Sequence, residues 1–418
     1  MRKPCYLLLL LLCSPISILG QNEQYARNMM ELLCSDSLAG RGYARNGMGK
    51  AAMLIQAEFE KMGLKSLPEK KDYLHAYSHP ANIFQGEMKL MLDGKELKAG
   101  VDYLISPSSM GAKGKATAVF ADKDNFMHLS PAKVKNKALI VDPRNIQSTD
   151  SLRLFYTKLY SLQTSFKAWF EVTNKLTWSA SQSVQPLFPA FYIHASGLAQ
   201  IRKSKKISWH VEQNLEKDFK AYNVAGMVEG IVKDTFVLVT AHYDHLGMMG
   251  KETYFKGAND NASGTVLMMD LAAHMVREKP KYSTVFVAFG SEEIGLVGSG
   301  KFVKDQYVPL NQIKAVLNID LMGGGSEGVT VVNAVANPHL FECVKMANME
   351  AGLSQVKERG AAANSDHHWF SENGVPAIFI YANGDVQAYH DINDVPEGLK
   401  WVHYEALFKL MYGFLNRL

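Results

Sequence analysis

Acidic and imidazole side chains collect where the apolar runs of this chain stop. The run 236–240 passes into Ala241-His242-Tyr243-Asp244-His245, and the run 284–289 into Gly290-Ser291-Glu292-Glu293. Asn318-Ile319-Asp320 closes a third run, and Tyr389-His390 follows a fourth. The loop Gly257-Ala258-Asn259-Asp260-Asn261-Ala262-Ser263-Gly264 stands directly before a helical pattern. Five loops thus each supply a potential ligand, and imidazole mixed with carboxylate suits zinc or a similar first-row ion. One histidine after a strand is more often a satisfied structural group, and one aspartate before a helix more often an N-cap. That explanation covers each residue alone but not the set. Carboxylates gathered at one sheet edge repel unless a cation compensates them. The consecutive pair Glu292-Glu293 adds a division of labour, because adjacent residues at a strand end project in different directions. One can bind metal while the other serves the activated water as general base.

Two other patterns are set aside. Gly295-Leu296-Val297-Gly298-Ser299-Gly300-Lys301 has the Gly and Lys spacing of a phosphate loop, but Phe302 stands where a Ser or Thr is required. Asn261-Ala262-Ser263 matches a glycosylation sequon, yet it lies inside the proposed metal loop.

Taken together, these residues resemble the exported di-zinc aminopeptidases of clan MH. The matching elements are His242-x-Asp244, Gly257-Ala258-x-Asp260-Asn261-x-Ser263-Gly264, Glu292-Glu293-x-Gly295-Leu296-x-Gly298-Ser299, Asn318-x-Asp320-Leu321-Met322, Ser365-Asp366-His367 and Tyr389-His390. Their order and spacing agree across residues 223–418, and Gly40-Arg41 resembles the N-terminal part of the family. The resemblance implies two Zn2+ ions, one held by His242, Asp260 and Asp320, the other by Asp260, Glu293 and His390. Asp260 would bridge them. Glu292 would be the general base, Asp244 would steady His242 from behind, and Asp394 would support the His390 side. In some relatives a tyrosine shortly before the Ser-Asp-His element steadies the oxyanion; here that stretch is Gly360-Ala361-Ala362-Ala363-Asn364. Tyr389, directly before the last histidine, is the candidate donor instead. Tyr254, Phe255, Trp369 and Phe370 are candidates for a side-chain pocket.

The implied reaction is metal-dependent hydrolysis of peptides from the amino terminus. A carboxypeptidase or dipeptidase on the same scaffold, and a glutaminyl cyclase-like acyl transfer, are the alternatives. A binding module that has lost its metals fits poorly, because all five ligands and Glu292 are present.

The elements that must position these residues follow from pattern and length. The chain has 418 residues, and its 47% apolar and 21% charged content is that of a globular protein. A formal charge of +4 is too small an excess for a dedicated nucleic-acid binder. Apolar runs at 235–240, 284–289, 313–319 and 377–380 suit buried strands, with helical patterns at 264–277, 338–349 and 401–418. Such alternation predicts an α/β fold: a mixed, largely parallel central sheet with helices on both faces, zinc-exopeptidase-like. Helices are also expected at 22–34 and 47–62, the second stopped by Gly63. Residues 79–218 change texture, with short β-like runs at 116–121 and 138–141, and read as a smaller inserted β-rich domain similar to a protease-associated domain. The expected organisation is 21–78 and 219–418 as catalytic domain around that insert.

Residues 1–20 have the pattern of a signal peptide: Arg2 and Lys3, an apolar stretch at 6–12, then small residues before Gln21. An exported protein, periplasmic or extracellular, is expected, with a peptide substrate and no stable membrane insertion after cleavage. Leu12, where lipidation wants a small residue, argues against an anchor at Cys13. Cys34 and Cys343 remain, read as small buried thiols with a single disulfide as the alternative. Oligomeric state is left open.

Overall fold

The computed structural model describes residues 22–418. Residues 1–20, where a signal peptide is expected, lie outside the described residues together with Cys5 and Cys13.

Eight strands make the central sheet: β1 (Leu74–Ile83), β2 (Asn214–Val228), β3 (Val232–His242), β4 (Tyr282–Phe289), β5 (Ile313–Ile319), β6 (Val329–Val332), β7 (Val356–Glu358) and β8 (Ala377–Ala382). Their order is β1-β2-β4-β3-β5-β8-β6-β7. The middle four, β4-β3-β5-β8, are parallel, while β1, β2 and β6 join antiparallel. The expected mixed, largely parallel sheet is therefore present. Beyond the exposed start of β3, its middle strands are buried almost throughout, as parallel strands covered on both faces must be.

Side chains alternate between two cores. Phe286, Ala288, Leu317 and Ile319 face the helices Glu23–Leu33, Gly47–Met62, Gly264–Met275, Pro338–Ala351 and Tyr404–Leu415. Val285, Val287, Phe289 and Val316 face Phe302, Val303 and Phe370, from the shorter helices Val297–Lys304 and His367–Glu372. The helix at 47–62 ends at Gly63, whose φ of 86° is the left-handed stop that glycine tolerates. Strand β3 has β4 on one side and β5 on the other, so the chain reverses its direction of winding there. Loops leaving the carboxyl ends of strands at such a point form a crevice. Register brings those ends level: His242 lies opposite Phe289, and Thr240 opposite Asn318.

The stretch between β1 and β2 forms two further sheets. One is antiparallel, in the order Lys95–Glu96, Met88–Leu92, Ile207–Val211, Ala112–Ala116. The other runs Tyr103–Ile105, Ala190–His194, Ala168–Thr173, Ala138–Val141, Ala118–Ala121, its last four strands parallel. The boundaries expected at 79 and 218 cut through β1 and β2. These two strands pair along most of their length and carry the central sheet outward into the insert. The single run expected at 116–121 is also corrected. It breaks at Thr117, and its two halves belong to different sheets. Among the described residues Cys34 and Cys343 are unpaired thiols, so the disulfide alternative between them is not formed. Among the described residues no helix is long and apolar enough to cross a membrane.

Candidate metal centre

His242 ends β3, Glu292 and Glu293 follow β4, and Asp320 follows β5. Asp260 sits in the turn Ala258–Ser263 that opens the helix Gly264–Met275, and His390 comes from the loop after β8. The fold brings all six to one cavity of about 240 Å3. His242 Nε2 lies 3.4 Å from Asp260 Oδ1 and 3.3 Å from Asp320 Oδ1. His390 Nε2 lies 3.1 Å from both Asp260 Oδ2 and Glu293 Oε2. Asp260 therefore faces one imidazole with each oxygen, as a bridging ligand would.

Charge in this cluster is strongly displaced. Burial, then the neighbouring Glu293, Asp366 and Asp320, hold the Glu292 carboxyl well above its ordinary range, against the pull of His242. Burial works the same way on Glu293, but His390 and His245 outweigh it and hold that carboxyl well below. Burial opposes charge on His390 as well, yet Glu293 and Asp260 push it up to about 11. The raised pKa values of His242 and His390 favour the positive charge that the gathered acidic groups require. A metal pair would supply it equally. The buried Asp320 Oδ1 has no hydrogen-bond partner, although it faces this cluster. Ligand atoms of His242, Asp260 and Asp320 all lie within 4.8 Å of one another, and so do those of His245, Asp260 and Glu293. The donor set, nitrogen and carboxylate oxygen only, fits zinc.

Behind the cluster, the supports differ from expectation in two places. His242 Nδ1 faces the backbone carbonyl of Asp244 at 3.2 Å, while its distance to the Asp244 carboxylate is 3.8 Å. The Asp244 carboxylate instead accepts the backbone N–H of Glu292 (3.0 Å) and of Glu293 (3.4 Å). It fixes the acidic pair rather than the histidine. Asp394 accepts the backbone N–H of Asn259 (2.7 Å) and Asp260 (3.0 Å), so it holds the Asp260 turn and not His390. The carbonyl of Trp178, in the insert, takes that role: it lies 2.9 Å from His390 Nδ1, and the Trp178 N–H donates to the His390 carbonyl at 2.8 Å. Asp320 Oδ2 accepts from Ser365 Oγ at 3.1 Å.

Tyr389 lines the cavity and stacks on His390 with ring centroids 4.0 Å apart. The expected pocket aromatics do not line it. Phe255 and Phe370 are fully buried in the insert-side and sheet cores, Trp369 packs against the loop at Leu296, and the Tyr254 hydroxyl accepts from Arg45. The walls are Leu321, Phe379, Tyr381, Asn364 and Arg359. Neither Arg359 nor His245 stands out in the sequence. His245 follows Asp244 directly, and its Nδ1 meets Glu293 Oε1 at 2.6 Å. An imidazole two residues beyond Tyr243 is the one signal that could have marked it.

This arrangement of sheet, crevice and donors defines a zinc-exopeptidase-like fold. A zinc aminopeptidase of Bacillus subtilis aligns with a TM-score of 0.72 at 19% identity, covering 95% of this chain and 95% of that one. A peptidase M28 precursor of Shewanella amazonensis aligns with a TM-score of 0.64 at 16% identity, covering 94% and 96%. Residues 223–415 match Peptidase family M28. A probable leucine aminopeptidase of Arthroderma otae is 30% identical over 243 residues, 53% of this chain and 64% of that protein. Aminopeptidase YwaD of Bacillus subtilis is 25% identical over 240 residues, 53% of this chain and 51% of that protein. The chain thus matches less than two thirds of the length of these curated relatives.

Proposed function

We propose that this protein is a zinc-dependent aminopeptidase that removes residues from the amino terminus of peptides. The observation that carries the reading is the convergence of His242, Asp260, Asp320, Glu293 and His390 on one cavity with Glu292 beside them. His242, Asp260 and Asp320 would hold one zinc, and Asp260, Glu293 and His390 a second. Bound there, zinc supplies Lewis acidity towards the scissile carbonyl and lowers the pKa of a water towards neutrality. Glu292 takes the proton of the attacking water and delivers it to the leaving amine, general base becoming general acid. The burial that favours its protonated form also makes it a willing acceptor. Asp244 keeps Glu292 aimed by gripping the backbone of the pair. Tyr389 donates its hydroxyl to the oxygen that gains charge.

Residues 1–20 are read as an address for export, which places the enzyme in the periplasm or outside the cell. The unit between β1 and β2 is read as an insert that reaches His390 through Trp178. Arg359 on the cavity wall favours a second reading of end-selection, in which the carboxylate of a dipeptide is also held. Free, N-acetylated and C-amidated peptides, with an N-terminal glutamine peptide beside them, separate the possibilities. Cleavage confined to free amino termini supports the proposal. Cleavage of acetylated peptides would move it to a carboxypeptidase, and cyclised glutamine without peptide cleavage to a cyclase.

A further inference from the structure

A second cavity, of about 230 Å3, lies wholly within the insert. On the strand Ala168–Thr173, Trp169 and Glu171 point to the same side; their neighbours across the sheet are Ala190 and Tyr192. The helix Thr149–Tyr160 covers that side and contributes Tyr156 and Tyr160. Glu171 is the cavity's single acidic group. One carboxylate oxygen accepts the Tyr156 hydroxyl at 2.8 Å, the other the Trp169 indole N–H at 3.2 Å. Both donors are neutral. Among the described residues no lysine, arginine or histidine stands against it, and burial holds its carboxyl above the ordinary range. A largely buried carboxylate without a cation is costly in a folded chain.

The surroundings say which cation would relieve that cost. Tyr160, Trp169, Phe188 and Tyr192 form apolar walls, and Gln163 and Gln185 add amide oxygens. Tyr160 and Trp169 stack with centroids 5.1 Å apart, and about half of Tyr160 remains exposed, leaving its ring available to a charged guest. One carboxylate without imidazole or thiolate is a poor metal site. An anion is excluded by Glu171 itself. We propose that this cavity binds a primary alkylammonium group, its N–H donors on Glu171 and its carbon stem against the aromatic walls. Such a group is the amine of a lysine side chain or of a small free amine. Gln185 and Phe188 belong to the same connection between strands that carries Trp178 to His390.

The test uses the full zinc-loaded chain with its five tryptophans replaced by 5-fluorotryptophan, read by 19F NMR. The Trp169 signal is assigned with Trp169→Phe. The probe is n-butylammonium chloride, against 1-butanol, tetramethylammonium chloride and sodium chloride at matched ionic strength. The expected result is a saturable shift of the Trp169 signal with n-butylammonium alone. Glu171→Gln keeps the shape and removes the charge, and weakens that binding by about tenfold or more. Tyr160→Leu, which leaves Glu171 intact, weakens it by a smaller factor and carries the test if the glutamine variant does not fold. A lysine-containing peptide, added as a further arm, tells a side-chain amine from a small free amine. An unmoved Trp169 signal, an equal response to 1-butanol or tetramethylammonium, or full binding in Glu171→Gln would overturn the proposal.

Discussion

Trp178→Ala tests whether the insert takes part in the metal centre or merely sits beside it. Trp178 is 6% exposed; its indole N–H donates to the Ile105 carbonyl at 2.8 Å, and its ring stacks on Phe255 with centroids 4.8 Å apart. Truncating a buried tryptophan to alanine costs about 3–5 kcal/mol, and the loss falls on the insert core that fixes this segment of backbone. The same backbone exchanges two hydrogen bonds with His390. Freed from them, the His390 ring loses its orientation, and loss of such a support typically weakens metal binding by about 10–100-fold. The expected loss is selective. Zinc held through Glu293 and His390 weakens, while zinc held through His242 and Asp320, which face the Asp244 backbone carbonyl and the Ser365 hydroxyl, keeps its affinity. Trp178→Phe keeps an aromatic ring against Phe255, loses the indole bond and leaves a smaller void than alanine, so it costs less stability than Trp178→Ala with both zinc sites retained. Zinc titration against a chromophoric chelator, alongside urea unfolding, reads both effects. Two unchanged affinities in a folded Trp178→Ala protein, or an equal loss at both sites, would refute the reasoning.

Four further outcomes are expected. Arg41 is fully buried and donates to the carbonyls of Tyr243, Leu33, Lys256 and Gly257. Arg41→Met strands these acceptors and lowers stability by about 4 kcal/mol or more, seen as a fall in the urea midpoint that Arg41→Lys restores only in part. Asp244→Asn can accept only one of the two N–H groups of Glu292 and Glu293 without strain, so kcat falls by about 10–100-fold while zinc content is unchanged. Arg359→Gln reduces the preference for free over C-amidated dipeptides, read as the ratio of their kcat/KM values, by about fivefold; an unmoved ratio excludes a carboxylate at Arg359. His367, His75 and His79 are all held below the ordinary imidazole range by burial, His367 at about 4. The unfolded chain takes up protons below pH of about 6.5 that these native imidazoles refuse, so each removes stability as pH falls from there towards 4. In the metal-free protein His367→Gln therefore gives a flatter Tm profile between pH 7 and 5 than wild type.

Much of this was legible because buried parallel strands read as uninterrupted apolar runs. β3, β4, β5 and β8 begin or end within a few residues of the expected positions, and the carboxyl ends of the first three carry His242, Glu292 with Glu293, and Asp320. Asp260 before a helix and His390 after the last strand complete a set whose order alone suggested convergence. Other features left no local trace. The break at Thr117 takes the chain from one sheet to another without altering the pattern of side chains. Ser78, His79 and Pro80 obscure β1 as a strand of the central sheet, although His79 is buried against Ser291. Which partner Asp244 grips depends on how two loops meet, not on the spacing from His242. Trp178 reaches His390 across 212 positions, and Arg359 reaches the cavity because its backbone is tied to Val331 and Ala334 at the end of β6. Such contacts arise from packing between distant segments, which period and composition do not encode.

The central claim is a two-zinc centre in which Glu292 moves the proton. Zinc content and turnover of a free-amine peptide, measured together on wild type and Glu292→Gln, address it directly. The account predicts about two zinc ions per chain in both and a loss of kcat of about 100-fold or more in the variant. A Glu292→Gln protein that turns over at the wild-type rate, or a fully active wild type with one zinc, would contradict it.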